Sequence, residues 1–261
     1  MTPPGRMALV TGGSSGIGKA ISRALATRGY GVVLVARDSA RLEELAGELS
    51  RRHAVSCEVL AADLTTAEGL ASVERRIREG EPLDIVVNDA GYGTARPFAE
   101  DRVEAAVGQI KLNVVALTVL SHAALSTMVP RRSGGLLNVS STASFQPTPG
   151  QAVYGATKAF VTSLTESLHE EVARSGVHVT ALCPGFTRTE FQERASIEAA
   201  GIPSFMWASA TEVAEAGLAA LEANRAICIT GGVNKVLAAA THLGPRALIR
   251  RSAGRVMRRV T

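Results

Sequence analysis

Tyr154 and Lys158 stand four residues apart in Tyr-Gly-Ala-Thr-Lys, a spacing that puts a phenol and an ammonium on one face of a helix. A free phenol titrates near about 10, too high for efficient proton exchange at neutral pH. A neighbouring cation favours the phenolate and lowers that value, so the pair could move a proton. Such pairs also arise by chance on solvated helix faces. This one gains weight from Ser140-Ser141, which close the strand-like run Leu136–Val139. Open α/β sheets present their ligands at the carboxyl ends of strands.

A second set of residues suits an anion. Thr11-Gly12-Gly13-Ser14-Ser15-Gly16-Ile17-Gly18 follows a β-branched run directly and opens a helical stretch. Glycines let the backbone approach a pyrophosphate, and a helix N-terminus offers free N–H groups and a positive dipole end. The spacing is G-x-x-x-G-x-G rather than the commoner G-x-G-x-x-G. The strand before it and the helix after it argue against a glycine-rich turn without a ligand. About twenty residues on, where an NAD site wants a carboxylate for the ribose, the chain reads Val35-Ala36-Arg37-Asp38. A guanidinium there would pair with a 2′-phosphate, a charge-assisted contact of roughly 1.5–3 kcal/mol. The expected dinucleotide is therefore NADP. Asp38 reads most simply as the cap of a helix starting near Ala40.

These groups need a sheet to hold them. Met7–Val10, Val32–Val35, Val55–Ala61, Leu83–Val87, Leu136–Val139, Val177–Leu182 and Ile227–Ile229 read as strands, apolar enough to be covered on both faces. Ile17–Arg28, Ala40–Arg51, Glu68–Arg78, Val103–Met128, Tyr154–Arg174 and Glu212–Glu222 read as helices. The alternation predicts an α/β fold, a doubly wound parallel sheet of Rossmann type. It occupies residues 1–232 as a single domain, and 233–261 form a basic, helical C-terminal extension.

At 261 residues, 46% of them hydrophobic and 20% charged, the chain can bury one sizeable core. Cys57, Cys183 and Cys228 are odd in number and widely spaced, which suits free thiols in a reducing compartment. No apolar signal run opens the chain and no stretch reaches about 18 uninterrupted apolar residues, so a cytoplasmic location is expected. The net charge of +4 is uneven. Eight cations and no acid follow Glu222, so the first 222 residues carry −4. That removes the basis for nucleic-acid binding by the body of the protein. His122, His169, His178 and His242 have no ligand spacing, and no metal site is expected.

The motifs together carry a resemblance. T-G-G-S-S-G-I-G, N-D-A-G (Asn88–Gly91), Asn113, Ser140-Ser141, Y-G-A-T-K and P-G-F-T-R-T (Pro184–Thr189) occur in the order seen in short-chain dehydrogenases/reductases, over roughly residues 6–232. The resemblance implies an oxidoreductase in which Tyr154 is the acid/base and Lys158 holds the nicotinamide ribose and lowers the tyrosine pKa. Ser141 would hydrogen-bond the substrate carbonyl, and Asn113 would position a water linking Lys158 to solvent. Gly12, Ser14, Ser15, Gly16, Ile17 and Gly18 would form the phosphate turn. Asp63 and Leu64 would lie at the adenine, with Asn88, Ala90 and Gly91 beside the adenosine ribose. Pro184, Gly185, Thr187 and Thr189 would hold the carboxamide and phosphates. A homodimer or homotetramer is implied as well. One departure is visible: the usual N-N-A-G is N-D-A-G, which puts in doubt the hydrogen bonds of an amide that braces the sheet centre and is expected to leave the catalytic set unaffected. A weaker likeness, to a bacterial branch of the family, rests on Phe145-Gln146-Pro147, Ala152-Val153-Tyr154 and the arginine-rich segment after Gly232; it says little about the substrate.

In such a fold the segment after Pro184-Gly185 closes over the substrate. Phe186, Phe191, Ile197, Ile202, Phe205, Met206 and Trp207 fall there, with Phe145 and Tyr92-Gly93 as further walls. Arg188 and Arg194 are its few cations, so a lipophilic carbonyl or alcohol is expected, unless these residues merely pack the lid. Beyond Gly244-Pro245, winding 246–260 as a helix gathers Ile249, Ala253, Val256, Met257 and Val260 opposite most of the arginines. That pattern fits peripheral contact at the inner face of a membrane, or a helix packed on its own subunit or a neighbour. Two other functions compete: a dinucleotide-sensing regulator without turnover, and a peripheral membrane protein dominated by the tail. A sensor would need only the cofactor half, whereas this sequence keeps Asn113, Ser141, Tyr154 and Lys158 together.

Overall fold

A computed structural model describes residues 5–191, 203–243, 247 and 249–250. Strand β1 (Met7–Thr11) runs into helix α1 (Gly16–Thr27), followed by β2 (Gly31–Ala36) and α2 (Ser39–His53). The chain then forms β3 (Cys57–Ala61), α3 (Ala67–Glu79) and β4 (Ile85–Asn88). Helix α4 (Val103–Ile110) passes through a π-helical segment, Lys111–Ala116, into α5 (Leu117–Arg131). Next come β5 (Gly134–Val139), a 3-10 turn at Thr142–Phe145, α6 (Ala152–Glu171) and β6 (Val177–Cys183). Two short strands, β7 (Thr187–Arg188) and β8 (Ala208–Ser209), pair with each other; α7 (Ala210–Glu222), β9 (Ile227–Ile229) and α8 (Gly232–Leu243) complete the described chain.

Seven strands make one parallel sheet in the order β3-β2-β1-β4-β5-β6-β9. The chain steps outward from β1 to β3 and returns to start the other half at β4. Between β1 and β4 the connections therefore leave in opposite directions, opening a crevice at the carboxyl ends of the strands. Alternation along β1 shows why both faces are covered. Ala8 and Val10 join a core with Ile21, Leu25, Leu45, Val213 and Leu218 from α1, α2 and α7. Leu9 joins the opposite core with Val73, Ile77, Leu120 and Met128 from α3 and α5.

The helix starts follow their side chains. Asp38 caps α2 by accepting the Arg41 N–H at 3.1 Å, and Ser209 and Glu212 form a reciprocal capping box on α7. Other boundaries depart from the expected ones. Val55 and Ser56 precede β3, Leu83 lies outside β4, and α6 begins two residues before Tyr154 and ends at Glu171. The expected single helix Val103–Met128 runs on to Arg131 and carries the π segment inside it. The whole stretch Val103–Arg131 is long and apolar enough to cross a membrane by length and composition, yet half of its most apolar window is buried in the protein.

Polar side chains also brace the sheet centre. Asn88 Nδ2 donates to Asn138 Oδ1 at 2.9 Å and to Ser121 Oγ at 3.1 Å, and Asn138 Nδ2 donates to Thr165 Oγ1 at 3.0 Å. All four residues are buried, so β4, β5, α5 and α6 are held in register where the site is built.

Candidate active site

The phosphate turn leaves β1 with Gly12 at φ +73° and Gly16 at φ +54°, conformations that favour glycine. Gly18 is required for a different reason. A Cβ there would lie 2.5 Å from the Gly12 carbonyl oxygen and 2.6 Å from Asp89 Oδ2. The first turn of α1 therefore sits directly on the glycine turn. Ser15 at the N-cap makes no side-chain cap, and no acid occurs in the first helical turn, so the N–H groups of this helix end suit an anion. Ser14 and Ser15 are half-buried, and Ile17 packs against the core. Thr189 closes the far side, with its methyl group 3.3 Å from where a Gly16 Cβ would stand.

Arg37 is exposed at the end of β2. Its charge reaches both Asp63 and Tyr92 across the cleft. Asp63 Oδ1 accepts from the Thr65 hydroxyl at 2.7 Å and the Thr65 N–H at 2.9 Å, bonds that hold its carboxyl below the usual range, with Arg37 adding to them. Leu64 is turned into the core, so its backbone alone can line the cleft. Thr11 Oγ1 accepts the N–H groups of Asp89 and Ala90, which fixes the start of Asp89-Ala90-Gly91 against β1.

The catalytic candidates converge at the carboxyl ends of β4 and β5. Tyr154 and Lys158 lie on α6, both buried. Ser141, just past β5, hydrogen-bonds the Tyr154 phenol. Its neighbour Ser140 is turned inward to the Lys158 carbonyl at 2.8 Å and to Thr162 at 2.7 Å, which separates the roles of the two serines. Lys158 Nζ donates to the Val139 carbonyl at 2.7 Å and stands 5.8 Å from the Tyr154 ring centroid. Asn113 sits in the π segment. Its Nδ2 donates to the Tyr92 carbonyl at 2.9 Å and to Thr157 Oγ1 at 3.0 Å, and its Oδ1 accepts the Tyr92 N–H at 3.2 Å. One extra residue in a helical turn re-aims a side chain, and here it aims Asn113 at α6.

Burial dominates the ionisation of the site. Burial pushes the Tyr154 phenol up to about 12; the Ser141 hydrogen bond opposes this and the negative charge of Asp89 adds to it. Burial likewise pulls Lys158 down and pushes Asp89 up, and each charge restrains the other's shift. The expectation that the N-D-A-G departure leaves the catalytic set unaffected is corrected by this field. The amide that braces the sheet centre is that of Asn88, whose side chain faces the interior rather than the adenosine side of the cleft. Strand alternation then turns Asp89 the opposite way, toward the phosphate turn and Lys158. Sequence reasoning marked Asp89 only as a departure from the motif and did not place it among the site residues, although an acid at the carboxyl end of a central strand was the available signal. It also passed over Thr157, which joins Asn113 to the Tyr154 carbonyl.

One aromatic ring borders the phenol, and a second aromatic pair forms between the segment after Pro184-Gly185 and the start of β8. The Phe191 ring lies 5.4 Å from that of Tyr154, Phe186 packs on Trp207 at 5.6 Å, and Arg188 stacks over Trp207 at 5.5 Å. Gly93 lies against the Tyr154 ring, whereas Tyr92 sends its hydroxyl to the Ala105 carbonyl on α4, away from the place expected of it as a wall. Phe205 is exposed beside Met206. Ile197, Ile202 and Arg194 lie outside the described residues. Thr187 is buried and donates to the Gly185 carbonyl, and the Pro184 carbonyl accepts from Thr142. Asn234 of α8 lies over Gly185, so the start of the expected extension packs at the site's rim. The remaining tail positions, Ala253, Val256, Met257 and Val260, fall outside the described residues. His169 and His178 bond backbone carbonyls of Val179 and Leu221, and His122 meets Arg78; the His242 side chain is not among those described.

Residues 6–200 match the family model described as short chain dehydrogenase. An uncharacterized oxidoreductase of Staphylococcus epidermidis is 36% identical over 204 residues, 76% of this chain and 87% of its own. Among solved structures, a short-chain dehydrogenase from Sphingobium yanoikuyae in complex with NADPH superposes with a TM-score of 0.84 at 36% identity, covering 91% of this chain and 93% of the other. The bulky-bulky ketone specific alcohol dehydrogenase from Comamonas testosteroni superposes with a TM-score of 0.78 at 30% identity, covering 93% and 96%.

Gly18→Ala separates the phosphate turn from helix propensity. Propensity alone would stabilise the protein by up to ~1 kcal/mol. The collision with the Gly12 carbonyl reverses that sign, so the denaturant midpoint should fall and dinucleotide affinity, read by calorimetry, should drop at least tenfold. A raised midpoint with unchanged affinity would show that the turn has room to spare.

Proposed function

The chain belongs to the short-chain dehydrogenase family and is an NADP-dependent oxidoreductase, and on that premise we propose that it interconverts a lipophilic ketone and its alcohol with Tyr154 as the proton-transferring residue. The observation that carries this reading is the convergence of the Tyr154 phenol, the Ser141 hydroxyl and the Lys158 ammonium at one strand edge under aromatic walls. The bound dinucleotide supplies or takes the hydride. Ser141 donates to the substrate oxygen and orients it toward Tyr154, whose phenol gives its proton to that oxygen in reduction and takes it back in oxidation. Lys158, fixed by one bond to the Val139 carbonyl, keeps its other N–H groups for the nicotinamide ribose. Asn113 fixes the α6 turn that bears Tyr154. Its Oδ1 and Lys158 Nζ flank the same face of Gly91, which supports a water shared between them.

On the cofactor side, the reading gives Arg37 to the 2′-phosphate, Asp63 and the Leu64 backbone to the adenine, and Ala90 and Gly91 to the adenosine ribose. Pro184, Gly185, Thr187 and Thr189 close over the carboxamide and phosphates. The substrate class rests on Phe186, Phe191 and Trp207, with the similarity to an enzyme specific for bulky ketones as support. A second copy of the chain is the proposed cover for Phe98, Val103, Val107 and Ile110, which lie exposed on and beside α4. For the tail, the exposed Val233, Val236 and Leu237 beside Lys235 on α8 favour contact with a membrane surface.

Three measurements test these assignments. Tyr154→Phe should abolish NADPH-dependent reduction across a panel of bulky ketones while NADPH binding persists; activity above a few per cent of wild type refutes the assignment. Arg37→Ala should cost roughly ten- to a hundredfold in NADPH affinity with little change for NADH, and equal losses would mean that Arg37 merely supports the fold. The full chain should co-sediment with anionic vesicles at low salt and release as salt rises, and a truncation after Gly244, which keeps α8 but loses six arginines, should bind much more weakly. A full chain that ignores such vesicles removes the membrane reading.

A further inference from the structure

The segment that leaves β6 does not stay on its own side of the sheet. Strands β2 and β6 are separated by β1, β4 and β5, yet the residues just past β7 reach the helices that follow both β1 and β2. Three consecutive side chains do so. The Thr189 methyl stands 3.3 Å from the Cβ position of Gly16, at the head of α1. Glu190 crosses to the first turn of α2, where its two carboxylate oxygens accept from Arg41 Nη1 at 3.1 and 3.0 Å. The Phe191 ring lies 5.4 Å from that of Tyr154. One stretch of three residues therefore touches the phosphate turn, the β2 rim and the catalytic tyrosine, and it spans the crevice between β1 and β4 from above.

Both ends of this crossing are braced. Thr187 Oγ1 donates to the Gly185 carbonyl at 3.1 Å, and the Phe191 N–H donates to Thr189 Oγ1 at 3.2 Å. The Ala208 N–H donates to the Phe186 carbonyl at 2.9 Å, where β7 pairs with β8. A restraint on Glu190 is thus passed along a folded stretch rather than absorbed by slack chain. On the other side, Asp38 Oδ1 accepts the Arg41 N–H at 3.1 Å and its Oδ2 lies 3.4 Å from Arg41 Nε. The Arg41 guanidinium is held between two carboxylates, and the Glu190 bond keeps its pKa above the ordinary arginine value. Its charge is committed, in contrast to that of Arg37, which lies exposed four residues earlier.

We propose that Arg41 and Glu190 form a clasp across the dinucleotide crevice, a pair of positioning residues that hold residues 187–191 down over the phosphate turn and so set how fast a bound cofactor leaves. This rests on the reading of Gly12–Gly18 as the turn that receives the pyrophosphate. The clasp grips no group that distinguishes the two nicotinamide dinucleotides, so it retains NADPH and NADH alike, whereas the 2′-phosphate is the concern of Arg37. The side chains are 47% and 44% exposed, which keeps the pair weak. Weakness suits the task, because the cofactor has to be exchanged after each hydride transfer and the cover has to lift for it.

Stopped-flow release of NADPH and of NADH from the full chain, read by nicotinamide fluorescence, tests the clasp. Glu190→Gln should raise both release rates by the same factor, roughly two- to fivefold, the range of one exposed ion pair. Arg41→Gln should do the same. The double variant should release no faster than either single one, since the two residues act as one contact. Unmoved release rates in Glu190→Gln overturn the proposal; a merely structural pair would give that result together with a lowered denaturant midpoint. A change in Arg41→Gln confined to NADPH also overturns it, because Arg41 would then be binding the 2′-phosphate itself. If Arg41→Gln weakens α2, Glu190→Gln alone decides, as it leaves Asp38 and the helix start intact. Undiminished cofactor affinity in Gly18→Ala would take the dinucleotide away from the turn and the proposal with it. Normal dependence on Gly18 with unmoved release rates sinks the clasp alone.

Discussion

The ammonium of Lys158 is buried beside the last residues of a parallel strand, where an uncompensated ion would cost several kcal/mol. Two partners make that position tenable. The Val139 carbonyl, which β5 turns outward as the strand ends, takes one N–H. Asp89, at the end of the neighbouring β4, supplies the opposite charge. Because β4 and β5 are adjacent and in register from Ile85–Gly135 to Asn88–Asn138, these partners arrive together. The Asn88–Asn138–Thr165 bonds then hold α6 over the strands at the same level.

The parts of the molecule that sequence reads well are those in which one residue type has one physical use. Asp38 before α2, the glycines after β1 and the β-branched runs of β1, β2 and β6 all behaved as their chemistry requires. Positions decided by one residue of register were harder. A 3.6-residue pattern carries no mark for the extra residue at Lys111–Ala116, because its buried residues, Asn113 and Ala116, stand three apart as they would in an ordinary helix. The same holds for Asn88 and Asp89. Motif order places both at the crevice, and only the strand pleat sends one amide into the core and the next carboxylate under the phosphate turn. Nor does spacing carry any mark of burial, which pushes the Tyr154 phenol up.

The acid that was least conspicuous in the motif is the one that joins the two halves of the site. Through Gly18 it belongs to the turn that would receive pyrophosphate, and through Lys158 it belongs to the catalytic helix. Its charge raises the energy of the phenolate. On the opposite rim, at the end of β2, the exposed Arg37 guanidinium reaches Asp63 and Tyr92. The two sides of the crevice thus carry opposite charge, an acid beneath the glycine turn and a cation at the end of β2, because adjacent parallel strands end at the same level and each delivers its own side chain there.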